Sequence, residues 1–314
     1  MKNIAKNSLR AWILAARPKT LSGALVSVVT AVALFVRLSG GIGGMGRGEV
    51  QMALLCAGFA VLMQVASNFI NDWYDFIRGN DREDRLGPKR ACQQGWISPE
   101  AMKKGILLVV LLAGAVGLWL LFVVVRSISG AVWPTMFFLV GVGLLCVAGA
   151  FLYSSHLSSK GWGDVLVLLF FGIVPVCVTF FLLAQTLSSA ALVLGFSVGL
   201  VVDTLLVVNN FRDRDTDRSV GKRTLVVLIG EKMGSRLYGG LGIVAVALIV
   251  LLDFMLHGSP TALSLLTLLY LPLHLSAWRK MRQIWNGRKL NEVLSLTARN
   301  ILVYAFLVSS GMLF

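Results

Sequence analysis

The chain has 314 residues, of which 57% are hydrophobic and 14% are charged, and its formal net charge is +14. Soluble domains carry about 25% charged residues, so this composition excludes an ordinary soluble domain and indicates a protein that lies in a lipid bilayer. A basic excess of this size fits nucleic acid, an anionic membrane surface or an anionic substrate, and the positions of the basic residues decide among the three.

Apolar runs of about 17–25 residues, the length that crosses a bilayer, follow one another along the chain. The basic start of the chain is followed by no small-residue cleavage site, which predicts an uncleaved first span and not a removed signal peptide. The runs predict a single-domain, all-α membrane protein over residues 1–314, with about nine transmembrane helices. The predicted spans are residues 20–37, 50–71, 104–125, 132–153, 164–184, 188–209, 237–256, 260–277 and 294–313.

Lysine and arginine are divided unevenly between the two sides of the predicted bundle. The N-terminus and the connections after even-numbered spans hold 26 of the 29, and the other side holds 3. Since basic connections stay on the cytoplasmic side, the N-terminus is predicted to lie inside and the C-terminus outside. The basic excess therefore indicates topology and contact with anionic lipid or an anionic substrate, and no nucleic acid partner is expected.

Two acidic clusters interrupt this pattern, and each directly follows an even-numbered span. The first is NDWYDFIRGNDREDR at residues 71–85, and the second is NNFRDRDTDRSVGKRT at residues 209–224. Together they hold eight of the 15 acidic residues, on the side predicted to be cytoplasmic. These residues are Asp72, Asp75, Asp81, Glu83, Asp84, Asp213, Asp215 and Asp217.

The two clusters share a faint pattern. Asn71 is followed four residues later by Asp75, Asn209 is followed at the same spacing by Asp213, and basic residues follow both pairs. The two segments lie four spans apart. They predict two similar halves of four helices each, with the ninth helix appended and both acidic segments on one membrane face.

The spacing of the acidic residues predicts two carboxylate faces. If each helix continues past the membrane, Asp213 and Asp217 share a face. Asn68, Asp72 and Asp75 also share a face by their spacing, and so do Asn71 and Asp75. Like charges at this spacing repel, and carboxylates near a membrane are costly, so positive partners are expected. One interpretation is that interleaved arginines form ordinary ion pairs with them. These arginines are Arg78, Arg82, Arg85, Arg212, Arg214 and Arg218.

The other interpretation is magnesium. Mg²⁺ takes oxygen ligands and usually binds through one or two carboxylates plus substrate phosphates. Two carboxylate faces across a central cavity could hold two ions with a diphosphate between them, while Lys and Arg side chains bind the outer phosphate oxygens. A diphosphate at the mouth of a lipid-lined cavity indicates a lipid diphosphate as the substrate, with the ions stabilising the pyrophosphate that leaves.

The motifs NDWYDFIRGNDREDRLGPKR and NNFRDRDTDRSVGKRTL resemble the two aspartate motifs of the UbiA superfamily of intramembrane prenyltransferases. ARPKTL at 16–21, LYSS at 152–155 and GWGDVLVLLFFG at 161–172 are similar as well. The hydroxybenzoate-type enzymes carry N-D-x-x-D-x-x-x-D. Here Gly79 and Asp81 follow Asp75 and GKRTL closes the second motif, which resembles the 1,4-dihydroxy-2-naphthoate polyprenyltransferase branch more closely.

This resemblance implies an Mg²⁺-dependent enzyme of the bacterial cytoplasmic membrane. It would join an allylic polyprenyl diphosphate to 1,4-dihydroxy-2-naphthoate with loss of carbon dioxide and pyrophosphate, giving demethylmenaquinone. Apolar helices around the cavity would exclude water from the allylic cation. Another aromatic acceptor, such as hydroxybenzoate, haem or a homogentisate, stays open. A secondary transporter is the alternative from another class, but it predicts acids near the bilayer midplane.

The site residues follow from the two motifs and from the other matching segments. The candidate metal ligands, with the three catalytic residues first, are Asp75, Asp213, Asp217, Asn71, Asp72 and Asp81. The substrate-binding residues implied by the resemblance are Arg17, Asn71, Tyr153, Lys160, Lys222 and Arg223. Asp215 is expected to be a solvated partner of a nearby arginine.

Overall fold

The computed structural model describes residues 4–79, 86–128, 130 and 132–314, which form a bundle of helices without a β-strand. An α-helix pairs nearly all its backbone groups within one segment, which is what a chain in lipid requires. In chain order the α-helices are α1 (Leu9–Ala16), α2 (Pro18–Leu38), α3 (Arg47–Ile77), α4 (Pro99–Ser127), α5 (Val132–Leu152), α6 (Gly163–Val167), α7 (Val174–Ala184), α8 (Ser189–Ser219), α9 (Leu225–Ile229), α10 (Glu231–His257), α11 (Ala262–Leu268), α12 (Tyr270–Ile284) and α13 (Leu290–Leu313).

Short helical turns of other types complete the fold. Turns of 3-10 helix lie at Ile42–Gly44 and Ser158–Lys160. A π-helical turn at Tyr153–Leu157 continues α5, and a second one at Leu168–Ile173 joins α6 to α7 in one continuous helix. Such π-turns are rare and frequently occur at functional sites.

Within the described residues, eight helical segments are long and apolar enough to cross a membrane. They are α2, α3, α4, α5, the continuous helix from α6 to α7, α8, α10 and α13. The predicted span at 260–277 is instead divided into α11 and α12, with a break at Leu269. Pro272 explains the break, because it lacks the N–H that would bond to the Leu268 carbonyl and its ring clashes with that group. The predicted all-α membrane bundle is confirmed, whereas nine continuous spans are not.

The two helices that carry the acidic motifs run past the predicted ends of their apolar spans. Both α3 and α8 have 31 residues, which corresponds to about 46 Å against a hydrocarbon core of about 30 Å. Each ends next to a glycine in the left-handed conformation, Gly79 with φ of 67° and Gly221 with φ of 76°, a common way to stop a helix. Asp75, Asp213 and Asp217 therefore lie on helices, as their spacing predicted.

The motif helices take equivalent places in the two predicted halves. Each is the second span of its half and packs extensively on the following one, α3 on α4 and α8 on α10. Close backbone approach fixes α8 on its other side. A Cβ atom added at Gly172 would lie 2.5 Å from Gly199 Cα and would also collide with the Gly195 carbonyl. Small residues of this kind let membrane helices pack closely, and they hold the second motif in place.

A polar cluster fixes the end of the bundle opposite the acidic motifs. The buried Asp253 carboxylate accepts hydrogen bonds from the Thr261 backbone at 2.7 Å and from the Ser264 hydroxyl at 2.5 Å. His257 Nδ1 lies 2.7 Å from the same carboxylate, and its Nε2 lies 2.6 Å from Arg37 Nη2. These contacts join the ends of α2 and α10 to the start of α11.

Candidate active site

A cavity of 810 Å³ lies within the bundle, and both acidic motifs line it. Its polar end, called here the motif end, is formed where α3 and α8 finish. The side chains there are Arg17, Lys19, Asn71, Asp75, Arg90, Asn209, Asp213, Asp217 and Lys222. Most of the remaining wall is apolar, including Val28, Phe59, Leu118, Leu144, Phe170, Phe171 and Leu182. One charged end and one oily body suit an amphiphile with an anionic headgroup.

The first motif is organised around Asp75. Arg90 donates to Asn71 Oδ1 at 2.6 Å and to Asp75 Oδ2 at 2.7 Å. Lys222 Nζ lies 3.4 Å from the other carboxylate oxygen of Asp75. Because Lys222 belongs to the second motif, this ion pair joins the two motifs directly. The two acidic segments that the spacing placed on one membrane face thus meet at one site.

Asp72 lies on a different side of α3 from Asn71 and Asp75. It is 1% exposed and does not line the cavity. Its two carboxylate oxygens accept hydrogen bonds from the backbone N–H groups of Ala91, at 2.9 Å, and Cys92, at 3.1 Å. The structure therefore does not place Asp72 with the candidate metal ligands, and its contacts hold the loop that carries Arg90.

The Asp72→Asn variant tests this role in the loop. An amide keeps one acceptor oxygen but turns an NH₂ group toward a backbone donor, so one buried N–H loses its partner. We expect a loss of about 1–3 kcal/mol in the free energy of unfolding, measured in detergent micelles. The exposed Asp215→Asn variant is the control and should unfold like the wild type. Normal stability of Asp72→Asn together with a raised Mg²⁺ requirement would instead identify Asp72 as a ligand.

The second motif is organised around Arg212, which is 2% exposed. Its guanidinium donates to Asn209 Oδ1 at 2.6 Å and to both oxygens of Asp213, at 2.8 and 2.5 Å. It also donates to Asn291 Oδ1 at 2.8 Å. Asn291 lies on α13 and donates in turn to the Leu86 carbonyl at 2.9 Å. The second motif is therefore tied both to the appended helix and to the loop after the first motif.

Asp217 lines the cavity one helical turn beyond Asp213. Its backbone carbonyl accepts from the Lys222 N–H at 2.9 Å, across the turn that contains Gly221. Only a residue that tolerates positive φ reverses the chain so tightly. This turn carries Lys222 back over the end of α8 and toward Asp75.

Arg17 lies at the junction of α1 and α2 and lines the motif end. Its φ of 51° is unusual for a residue other than glycine, and Pro18 after it disfavours a helical conformation at Arg17. Asn68 supports the junction by donating to the Ala16 carbonyl at 2.8 Å and to Thr20 Oγ1 at 3.0 Å. A constrained backbone of this kind fixes the position of the Arg17 Cα atom, from which the side chain extends into the motif end.

Tyr153 lies in the π-helical turn after α5 and also lines the cavity. Burial raises the pKa of its phenol, and the nearby carboxylates of Asp164, Asp203 and Asp75 raise that pKa further. The phenol therefore stays protonated at neutral pH and can donate a hydrogen bond.

Two other predicted substrate-binding residues lie outside the cavity wall. Lys160 and Arg223 are both exposed. Arg223 contributes through its backbone, whose N–H donates to the Ser159 carbonyl at 2.8 Å. A basic side chain in a loop can serve topology alone, and both residues fit that simpler role. Asp81 lies outside the described residues.

Arg90 and Asn209 were not predicted from the sequence to belong to the site. Arg90 lies 19 residues after Asn71, and its contact with Asp75 depends on how the intervening loop folds. Asn209 stood in the repeated pattern but was given no role. The signal was available, since the Asn-x-x-x-Asp spacing already paired it with Asp213. Arg212 was one of six interleaved arginines, and the sequence did not separate it from the others.

The donor chemistry of the motif end fits a hard divalent cation. In the described part of the chain, no group of three or more His, Cys, Asp or Glu side chains is arranged to hold a metal by itself. The carboxylates of the two motifs instead face one cavity from separate helices, with amide oxygens beside them. This donor set suits Mg²⁺, which takes few protein ligands and completes its shell with phosphate oxygens and water.

A comparison with known families matches this arrangement. The sequence model described as the UbiA prenyltransferase family matches residues 24–293. The chain belongs to the UbiA prenyltransferase family. The matched region contains both acidic motifs, so the resemblance inferred from them is confirmed. A UbiA-family prenyltransferase, and not a secondary transporter, is the class to which the two motifs belong.

Relatives of this UbiA-family chain share one name in several bacteria. It is 33% identical over 237 residues to the 1,4-dihydroxy-2-naphthoate octaprenyltransferase of Haemophilus influenzae, covering 74% of this chain and 73% of the relative. It is 32% identical over 310 residues to the protein of the same name from Mycobacterium tuberculosis, covering 98% of each chain.

Solved UbiA structures have the same fold. A UbiA homolog from Archaeoglobus fulgidus bound to GPP and Mg²⁺ superposes with a TM-score of 0.64 at 16% sequence identity, covering 96% of this chain and 99% of that one. The apo structure of a UbiA homolog from Aeropyrum pernix K1 gives 0.64 at 17% identity, covering 93% and 96%. At these identities the likeness concerns the fold alone.

Proposed function

We propose that this UbiA-family protein transfers a polyprenyl chain from polyprenyl diphosphate to 1,4-dihydroxy-2-naphthoate. The observation that carries the proposal is the 810 Å³ cavity, which has both acidic motifs at one end and an apolar body. The choice of acceptor is supported by relatives named 1,4-dihydroxy-2-naphthoate octaprenyltransferase, of which the one from Mycobacterium tuberculosis matches over 98% of the chain. The departure from the hydroxybenzoate-type motif at Gly79 supports the same acceptor.

Asn71, Asp75, Asp213 and Asp217 would hold Mg²⁺, with one ion expected for each motif. All four offer oxygen atoms to the motif end. Asp72 is left out of this ligand set because its oxygens bind the 91–92 backbone, and Asp81 stays a prediction. When bound, Mg²⁺ would neutralise the diphosphate and stabilise the leaving pyrophosphate.

The basic residues of the motif end would bind the diphosphate. Arg17 and Lys222 line it from opposite parts of the chain, before α2 and after α8. A guanidinium can grip two phosphate oxygens at once, whereas an ammonium acts as a point charge. Together they would hold the headgroup at the mouth while the isoprenoid tail extends along the apolar wall.

The apolar wall would protect the allylic carbon after its bond to the diphosphate oxygen breaks. Residues such as Phe170 and Phe171 exclude water there and present ring faces that attract a cation. The protonated Tyr153 phenol would donate to an oxygen of the bound substrate. Placement of the reacting carbons at contact distance is itself a large part of such catalysis.

The acceptor ring supplies the electrons for the new bond. Its carbon that bears the carboxylate would attack the allylic cation that is left after the C–O bond to diphosphate breaks, and one C–C bond would form. The bond to the carboxylate carbon then breaks, carbon dioxide leaves, and the electron pair restores the aromatic ring. The product is the demethylmenaquinone skeleton in its reduced, quinol form.

The protein would act at the bacterial cytoplasmic membrane with the motif end facing the cytoplasm. The 26 basic residues on that side of the predicted topology support this orientation. Water-soluble pyrophosphate would then be released into the cytoplasm, and the prenylated product would remain in the bilayer.

The proposal is tested with purified protein in lipid vesicles, a labelled allylic polyprenyl diphosphate and acceptor labelled in its carboxylate. We expect prenylated product and released carbon dioxide in equal amounts, with both lost when EDTA removes Mg²⁺. Hydroxybenzoate offered in place of the naphthoate should give far less product. Equal reaction with hydroxybenzoate would refute the assigned acceptor, and undiminished reaction in EDTA would refute the metal.

A further inference from the structure

The two motifs share an arrangement that the sequence alone does not show. In each, one arginine grips an Asn and the Asp four residues after it. Arg90 binds Asn71 Oδ1 at 2.6 Å and Asp75 Oδ2 at 2.7 Å. Arg212 binds Asn209 Oδ1 at 2.6 Å and the two oxygens of Asp213 at 2.8 and 2.5 Å. The repeated Asn-x-x-x-Asp pair is thus matched by a repeated guanidinium.

The two arginines come from different places in the chain. Arg212 directly precedes Asp213 on α8, whereas Arg90 lies in the loop between α3 and α4. Asp72 fixes that loop through the two backbone N–H groups that follow Arg90. Arg90 is 6% exposed and Arg212 is 2% exposed. Both guanidinium groups are therefore built into the site, in contrast to Arg218, whose side chain is 60% exposed.

These arginines bind the oxygen atoms that the proposed metal ligands would offer. A divalent cation at Asp75 or Asp213 has to share those oxygens with a guanidinium or displace it. A guanidinium displaced from this buried position would give up its contact with the carboxylate, and weakening a buried charge pair is unfavourable. Diphosphate removes that difficulty, because its oxygens accept the same two-pronged contact.

We propose that Arg90 and Arg212 are tethered counter-ions that make divalent-cation binding depend on diphosphate. The inference rests on the proposed function and goes beyond it in assigning these two residues to the order of loading. Without diphosphate, the guanidinium forms an ion pair with the carboxylate. When diphosphate binds, the guanidinium donates to the phosphate oxygens instead, and the carboxylate is then able to bind the metal. Metal and diphosphate consequently bind with positive coupling, and each raises the affinity of the other by the same factor.

The test measures binding and does not depend on turnover. Mn²⁺ bound to the purified full-length protein is determined by electron paramagnetic resonance, with and without inorganic pyrophosphate, against a protein-free blank that accounts for the Mn²⁺–pyrophosphate complex. For the wild type we expect pyrophosphate to tighten Mn²⁺ binding by about fivefold or more, the lower end of ordinary coupling factors.

Arg90→Gln removes the guanidinium from the first motif, and Lys89→Gln is its matched control. Lys89 is exposed and adjacent in sequence, so it removes the same charge without touching Asp75. We expect Arg90→Gln to bind Mn²⁺ alone about fivefold or more tighter than the wild type and to lose most of the pyrophosphate dependence. Lys89→Gln should match the wild type. An unchanged affinity in Arg90→Gln, or an equal change in Lys89→Gln, would overturn the inference.

Two further variants allow the experiment to be interpreted if Arg90→Gln does not fold or if the proposed ligand set is wrong. Arg90→Lys retains the positive charge but cannot donate to Asn71 and Asp75 at the same time. It replaces Arg90→Gln in the binding measurement if Arg90→Gln does not fold. A weakened pyrophosphate dependence in Arg90→Lys supports the inference, and an unchanged dependence overturns it. Asp75→Asn tests the underlying function separately. Full Mn²⁺ and pyrophosphate binding in Asp75→Asn would refute the proposed ligand set, and with it the counter-ion role.

Discussion

The Asp213→Asn enzyme is expected to insert into the membrane and, per folded molecule, to turn over about a hundredfold to a thousandfold more slowly than the wild type, the usual loss when one charge-stabilising group is removed. The amide has nearly the shape of the carboxylate, so the packing of α8 is preserved. It is neutral, however, and a much poorer ligand for a hard cation. The Asp213 side chain is 17% exposed at the motif end, where it can reach a ligand.

Asp215→Asn is the matched control for this measurement. Asp215 lies two residues away on the same helix, but its side chain is 70% exposed and pairs only loosely with Arg218, at 3.6 Å. Exposed pairs of this kind contribute little, so the control should keep wild-type kcat and KM. Turnover of purified protein in vesicles is the readout. Full activity in Asp213→Asn, or equal losses in both variants, would contradict the role assigned to Asp213.

Arg212→Met is expected to cause the largest loss of stability, about 3–5 kcal/mol, which is the usual cost of removing one partner of a buried charge pair. The guanidinium holds Asn209, Asp213 and Asn291 together. Methionine fills part of the space but leaves a partly buried carboxylate without this partner. The change in the free energy of unfolding can be followed in mixed micelles titrated with SDS.

Arg218→Met provides the comparison, since Arg218 lies on the same helix with its side chain 60% exposed. Surface changes of this kind usually stay within about 0.5 kcal/mol. A result in which both variants unfold alike would show that the contacts of Arg212 carry no particular weight. That outcome would also remove the structural basis for a fixed counter-ion in the second motif.

The fold was largely predictable because lipid imposes simple rules. Span length, apolar composition and the distribution of Lys and Arg gave the bundle and the shared face of the two acidic segments. The main difference is at residues 260–277, because hydropathy predicts a span from apolar length alone and does not register that Pro272 interrupts the helix. The prediction that Asp213 and Asp217 lie one turn apart on a helix is consistent with α8, which continues past its apolar segment.

The site was predictable as a set of motifs but not residue by residue. Asp72 and Asp75 are three residues apart, which puts them only about 60° apart around the helix axis, so their spacing predicts one face. Only contacts outside the helix decide which of the two lines the cavity. Arg90 reaches Asp75 through a loop, and no local pattern encodes that fold. Lys160 and Arg223 are basic residues in loops near the site, and the family resemblance predicted that they bind substrate. Basic residues in cytoplasmic loops also set the membrane orientation, so their charge alone does not indicate a binding role.

The predicted internal repeat is relevant to these observations. The repeated Asn-x-x-x-Asp spacing was faint in the sequence, and the structure adds a guanidinium at each copy and an ion pair, Lys222 to Asp75, between them. If the repeat belonged to a secondary transporter, its acidic residues would be expected near the middle of the membrane. Here the acids lie at the ends of the helices and line one mouth of a single cavity.

The most direct test is a cryo-electron microscopy structure of the protein with Mn²⁺ and a non-hydrolysable prenyl diphosphate analogue. We predict metal density in contact with Asp75 on one wall and with Asp213 and Asp217 on the other, with the phosphates between them and the isoprenoid tail along the apolar wall. A headgroup bound at the opposite end near Arg37, or phosphates at the motif end with no metal touching these aspartates, would contradict the account.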